Sequence, residues 1–199
     1  MNVEAVEAIY HAELAHPERA ITAHLPRLRA LAEQCDDVVE FGVKRGASSA
    51  ALILGAKGGV WSYDILRTPQ ADHLQTVAAP KWAYTAGPTT GDSRCVAPRP
   101  CDLLFIDSLH TLAQLQVELD RHAGGVRRFL VFHDTITFGS LGADGETGRW
   151  SWTPAPGQSV PREHLGIRPA IDELMIADPS WHITQHYTDS HGLLVVERR

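Results

Sequence analysis

The chain has 199 residues, 44% of them hydrophobic and 21% charged, and 18 Lys plus Arg against 24 Asp plus Glu leave a net charge of −6. That size suits one folded unit whose core needs no disulfide or metal staple, and the composition excludes a disordered chain. The negative balance excludes a partner gripped through nonspecific phosphate contacts, so no nucleic acid is expected.

Val3, Val6, Ile9, Tyr10 and Leu14 recur at spacings of three and four, which predicts an amphipathic helix over residues 3–16. After Pro17, a second helical stripe runs through Ile21, Leu25, Leu28, Leu31 and Ala32 to Cys35. The apolar stripes of these two helices fit either a contact between copies of the chain, as in a homo-oligomer, or a cover over a bound ligand. The period then changes, because Val38, Val39 and Phe41 form a short apolar run closed by Gly42, the pattern of a buried strand. Residues 47–56 follow a glycine turn and read as a helix. Further strands are expected at 60–65, 82–86, 103–106 and 126–132, with a helix over Leu112–His122. Residues 135–166 are rich in Gly, Pro, Ser and Trp without periodicity, the mark of a lid, a binding loop or an insert. Trp150 and Trp152 in that loop suit either stacking on a ligand or anchoring the loop. A helix over 167–177 and strands at 181–187 and 192–197 complete the chain, with Thr188, Asp189, Ser190 and His191 forming a hairpin turn.

Continuously apolar strands alternating with helices predict an α/β, doubly wound fold. The expected sheet is mostly parallel and seven-stranded, with helices on both faces and an antiparallel C-terminal hairpin strand. One domain over 1–199 is expected. Its parts are N-terminal helices (1–35), a cofactor-binding half (36–134), the lid or acceptor loop (135–166) and a C-terminal helix and hairpin (167–199). Cys35, Cys95 and Cys101 are odd in number and form no CxxC pair, which fits a reducing, cytoplasmic setting. Glu4, Glu7 and Glu13 replace the basic start of an export signal. The longest apolar stretch is about half the roughly 20 residues a membrane helix needs, so no membrane is expected.

Glu40 to Ser49 end one strand and open a helix through Gly42 and Gly46. Such a turn frees backbone N–H groups beside a positive helix end, where ligands of doubly wound sheets sit, although it can also be only a tight connection. The spacing is GxxxG, unlike the GxGxxG of dinucleotide binders, and no GK[ST] follows. Asp64 closes the next strand, placed to accept the hydroxyls of a ribose or to cap a helix. Together these favour an adenosine-containing ligand without a pyrophosphate cradle, and S-adenosylmethionine fits better than NAD.

Asp107, Ser108 and His110 follow the fourth strand, and His133 and Asp134 follow the fifth. Neighbouring parallel strands end about 5 Å apart, so these groups are expected to converge. Two carboxylates with imidazoles can hold a divalent cation, and a base nearby can take a hydroxyl proton. His133 and Asp134 would point to opposite faces of a regular strand, so both reach one ion only if the strand has bent. His11, His16, His24, His73, His122 and His164 read as solvated residues of helices or loops, and His186 and His191 as flanks of the hairpin.

The segments VVEFGVKRGASS, WSYDI, TTGDSR, DLLFIDSLHT, LVFHDT and HYTDSHGLLVVER resemble class I S-adenosylmethionine-dependent methyltransferases. More narrowly, they resemble the group of macrocin-type sugar O-methyltransferases and cephalosporin-hydroxylase-like proteins. The resemblance implies metal-assisted O-methylation of a sugar, glycan or small natural-product hydroxyl. It places Glu40, Gly42 and Gly46 at the methionine part of the cofactor and Asp64 at its ribose, with Val43, Lys44, Ser48 and Asp107 also among the cofactor-binding residues. Asp92 and Ser93 would lie by the adenine. Asp107 and His110 match the DxxH motif of metal-dependent relatives, in which the Asp binds Mg²⁺ and the His is the base. Where those relatives carry two adjacent acids, this chain has His133-Asp134, so that Asp107 and Asp134 would hold Mg²⁺ or Mn²⁺, with His133 either a third ligand, favouring Mn²⁺, or turned away into the packing. The alternatives are a metal-dependent oxygenase on the same fold and a catalytically silent cofactor-binding module.

Overall fold

The computed structural model describes residues 1–145, 147, 149–153 and 158–199. Of the expected loop over 135–166, positions 146, 148 and 154–157 thus lie outside the described residues. Seven strands form one sheet: β1 (Val38–Phe41), β2 (Val60–Asp64), β3 (Trp82–Ala86), β4 (Cys101–Ile106), β5 (Val126–His133), β6 (Trp181–Tyr187) and β7 (Leu193–Arg198). Their order is β3-β2-β1-β4-β5-β7-β6. The first five strands pair in parallel, and β7 runs antiparallel to both of its neighbours. This is the sheet expected from the apolar runs.

The side-chain alternation of each strand divides the core in two. Val38, Val60, Leu103, Phe105, Phe129 and Val131 face α1 (Val3–Leu14), α2 (Leu25–Ala32), α3 (Ala47–Gly55) and α4 (Pro69–Ala78). Val39, Phe41, Leu104, Ile106, Leu130 and Phe132 face α5 (Leu112–His122) and α6 (Arg168–Ala177). Helix α4 escapes a reading by period, since only Ala71, Leu74 and Ala78 of it are buried. Its start is nonetheless written in the sequence: Thr68 caps it by accepting from the Ala71 N–H, and Pro69 occupies the first turn. No helix among the described residues is long and apolar enough to cross a membrane.

The segment 135–166 is pinned at several points. The Ala143 N–H donates to the His110 carbonyl, the Leu112 N–H to the Leu165 carbonyl, and Leu141 bridges Leu165. Trp150 Nε1 donates to the Thr137 carbonyl at 2.9 Å while its ring stays 57% exposed, so this residue both anchors the loop and leaves a face open. Trp152 stacks on His164 with ring centres 5.9 Å apart.

Candidate functional site

The carboxyl ends of β1, β2, β4 and β5 face two cavities that share Gly42, Asp64 and Asp107. The larger, about 380 Å³, is also lined by Val43, Lys44, Ser48, His110, His133 and Asp134. Glu13, Arg19, Ala20 and Ile21 close it from above, so the N-terminal segment forms part of the site. A cover over a ligand is one of the two readings of the N-terminal stripes, but no sequence signal picks out these four residues as the ones that meet the cavity. The smaller, about 270 Å³, adds Tyr63, Asp92, Ser93, Ser108 and Gln114.

The junction depends on Gly42, whose φ is +89°, a torsion that side chains disfavour. A Cβ there would lie 2.1 Å from the Asp107 carbonyl oxygen, so β1 and the end of β4 approach as only glycine permits. Asp64 Oδ2 accepts the Val43 and Lys44 N–H groups at 2.8 and 2.7 Å, and Oδ1 accepts that of Leu66 at 2.8 Å. The carboxylate thus holds the glycine turn in shape as well as facing both cavities. Asp92, read as an adenine neighbour, lies in the smaller cavity and is engaged by Arg94, whose guanidinium holds its carboxyl below the ordinary value.

Glu40 and Gly46 line neither cavity. Alternation turns Glu40 toward α3, where it is fully buried and accepts from the Ser48, Ser49 and Ser62 hydroxyls at 2.6, 2.6 and 2.5 Å. This corrects the expectation that Glu40 faces the ligand; it holds α3 against β1 and β2. Gly46, at φ +83°, starts α3 and leaves room for Leu74, whose Cδ2 would lie 2.9 Å from an added Cβ.

Burial pushes the Glu40 carboxyl up to about 7, against the pull of its three hydroxyl donors. An acid whose folded pKa exceeds its ordinary 4.5 stabilises the fold fully below that pH. Between the two values the folded state holds more protons than the unfolded one, so stability falls as pH rises from 4.5 to about 7. Glu40→Gln is expected to flatten about 3 kcal/mol of that slope, read as urea unfolding free energy across the window.

Asp107, His110, His133 and Asp134 do converge. In register, Ile106 pairs with Phe132, so Asp107 and His133 emerge side by side. Asp107 Oδ1 lies 3.2 Å from His110 Nε2 and 3.1 Å from His133 Nδ1. Asp134 takes φ +59°, a left-handed turn that swings its carboxylate back to the side of His133. That is the bend the sequence demanded. Asp134 Oδ2 then lies 3.5 Å from His110 Nε2, and Oδ1 lies 3.3 Å from His133 Nδ1. Phe138 stacks on the His110 ring at 5.3 Å and fixes its plane.

Burial alone would discharge His133, but Asp107 and Asp134 outweigh it and push its pKa up to about 9. The same imidazoles overcome burial at Asp107 and hold its carboxyl well below the usual carboxylate range. At Asp134 burial prevails and raises the carboxyl. His133, expected as a ligand, lies 3.1 Å from Asp107 in this structure, whereas the donor atoms of Asp107, His110 and Asp134 lie within 4.8 Å of one another. Asp134 Oδ1 is sealed from solvent and accepts no hydrogen bond from any described residue. Two carboxylates, one with an unspent oxygen, and an open imidazole fit a hard divalent cation.

Two of the histidines read as solvated are buried. His24 lies against the His133 ring at 5.4 Å and contacts the Asp189 and Ser190 carbonyls, both at 3.1 Å. His122 contacts the Ser93 carbonyl at 2.8 Å.

The architecture recurs in solved structures. An O-methyltransferase of Bacillus cereus in complex with SAH has 16% identity and a TM-score of 0.64 over 98% of this chain and 91% of its own. The fold is shared with methyltransferases. TomG of Streptomyces achromogenes, an O-methyltransferase involved in tomaymycin synthesis and crystallised with SAM, has 16% identity and a TM-score of 0.60 over 96% and 89%. A 1,6-didemethyltoxoflavin-N1-methyltransferase of Burkholderia thailandensis, with S-adenosylhomocysteine bound, has 14% identity and a TM-score of 0.58 over 98% and 86%. The fold therefore serves acceptors at oxygen and at nitrogen. No protein-family model and no curated protein matches the chain by sequence.

Proposed function

We propose that the chain is an S-adenosylmethionine-dependent methyltransferase whose acceptor is a hydroxyl of a sugar, glycan or small natural product. The observation that carries this reading is the junction of the two cavities at Gly42, Asp64 and Asp107. One cavity offers Asp64 to a ribose; the other offers the Asp107–His110–Asp134 cluster to a hydroxyl.

In this reading the acceptor oxygen attacks the methyl carbon as the carbon–sulfur bond breaks, and sulfur leaves as a neutral thioether. His110 takes the hydroxyl proton on Nδ1, the nitrogen left basic when Nε2 donates to Asp107, with its ring held by Phe138. Asp107 and Asp134 would hold a divalent ion, which when bound lowers the pKa of the hydroxyl. His133 donates to Asp107 from behind and keeps that carboxylate in place. Much of the rate comes from positioning, since the methyl donor is already reactive.

Calorimetric titration of metal-stripped protein with S-adenosylmethionine, repeated with Mg²⁺ or Mn²⁺, tests the reading. Micromolar binding is expected, weakened roughly 100-fold in a folded Asp64→Ala variant, because two ribose hydroxyls lose their acceptor. Absence of binding to the wild-type protein under every condition would sink the reading.

A further inference from the structure

Helix α5 turns one face toward the segment that follows β3. Ser93 Oγ donates to Glu118 Oε1, Ser108 Oγ donates to the same oxygen at 2.6 Å, and Gln114 Nε2 reaches it at 2.9 Å. Gln114 Nε2 also donates to Ser93 Oγ at 3.0 Å. Glu118 is fully buried and Gln114 is 8% exposed.

The proton positions in this network follow from counting. A hydroxyl has one hydrogen, and that of Ser93 goes to Glu118. Ser93 Oγ can therefore only accept from Gln114, which fixes the amide with its NH₂ inward. Both amide hydrogens are then spent, one on Ser93 and one on Glu118. Gln114 Oε1 has no hydrogen-bond partner among the described residues and is not one of the sealed, unpartnered atoms. It belongs to a side chain that lines the 270 Å³ cavity.

We propose that Gln114, with its amide orientation locked by Glu118, selects a 6-aminopurine over a 6-oxopurine in this cavity. The inference rests on the reading that the cavity beside Asp64 takes the nucleoside of the methyl donor. An acceptor oxygen pairs with an amino group, which donates, and opposes a 6-oxo group, which only accepts. Gln114 is the contact, and Glu118 is a positioning residue acting through it. Were Glu118 unable to accept, the amide could turn over and offer NH₂ to the cavity, inverting the preference.

The test uses the full chain titrated with S-adenosylhomocysteine and with its deaminated analogue, S-inosylhomocysteine. Wild-type protein is expected to bind the amino form roughly 10- to 100-fold more tightly. Gln114→Met, close in length and without hydrogen-bonding atoms, should bring that ratio near one in a protein that still folds, although loss of its two buried hydrogen bonds lowers the melting temperature. Glu118→Gln should also shrink the ratio, because an amide there can donate where the carboxylate accepts. Equal wild-type affinity for both compounds, or an unchanged ratio in Gln114→Met, would overturn the inference while leaving the cofactor reading intact. Failure of wild-type protein to bind either compound overturns the cofactor reading and this inference with it.

Discussion

Gly42→Ala is expected to remove about 4 kcal/mol of folding stability, measured by urea unfolding at fixed pH. Two costs add here. A side chain at φ +89° meets the steric penalty of a left-handed conformation, about 1–2 kcal/mol. The new methyl would also sit 2.1 Å from the Asp107 carbonyl oxygen and 2.6 Å from its carbon. Backbone cannot swing aside as a side-chain tip can, so overpacking of about 1–3 kcal/mol follows. Gly124→Ala is the matched control, since its added Cβ meets nothing within 4 Å. A loss at Gly42 no larger than at Gly124 would refute the close approach of β1 to the end of β4. The carbonyl displaced belongs to Asp107, so the variant should also disturb the cluster that this residue anchors.

Asp107→Asn should leave the fold intact and reduce methyl transfer roughly 10³-fold, the range seen when acid–base and metal groups are lost together. The carboxylate is the common partner of His110 and His133, and an amide of the same shape keeps the packing but removes the charge both imidazoles face. Mn²⁺ affinity, followed by electron paramagnetic resonance, should fall at least 100-fold because an ionised ligand is gone. Unchanged Mn²⁺ affinity together with unchanged turnover would place Asp107 outside the chemistry.

Much of this arrangement can be read from the chain because parallel strands buried on both faces write themselves as unbroken apolar runs. The runs at 38–41, 103–106 and 126–132 thus fall on β1, β4 and β5, and the residues just past each run fall at the ligand edge. Asp107, His110, His133 and Asp134 follow from that rule, and strand spacing brings their backbones together, but the left-handed turn that aims the Asp134 carboxylate at the others is not written in the pattern. Glu40 defeats it, because the pattern shows an acid before a glycine but hides three hydroxyls 8, 9 and 22 positions away. His24 and His122 look solvated for the same reason: the carbonyls they meet lie far along the chain, 165 residues away in the case of Asp189. Glu118 and Gln114 carry no mark of burial in the pattern of the helix over 112–122, and it is the segment at Ser93, with Ser108, that packs against them.

The backbone bond from Ala143 to the His110 carbonyl, with that from Leu112 to Leu165, has a consequence for how this scaffold can diversify. The segment 143–165 is stitched to the very turn that carries His110. Exchanging the whole segment for a foreign one would remove both backbone bonds and let the His110 turn shift. Exchanging only the arc between the two stitches keeps that turn in register. Insertions and replacements within this segment should therefore leave the Asp107–His110–Asp134 cluster in place when residues 143 and 165 are left as fixed posts.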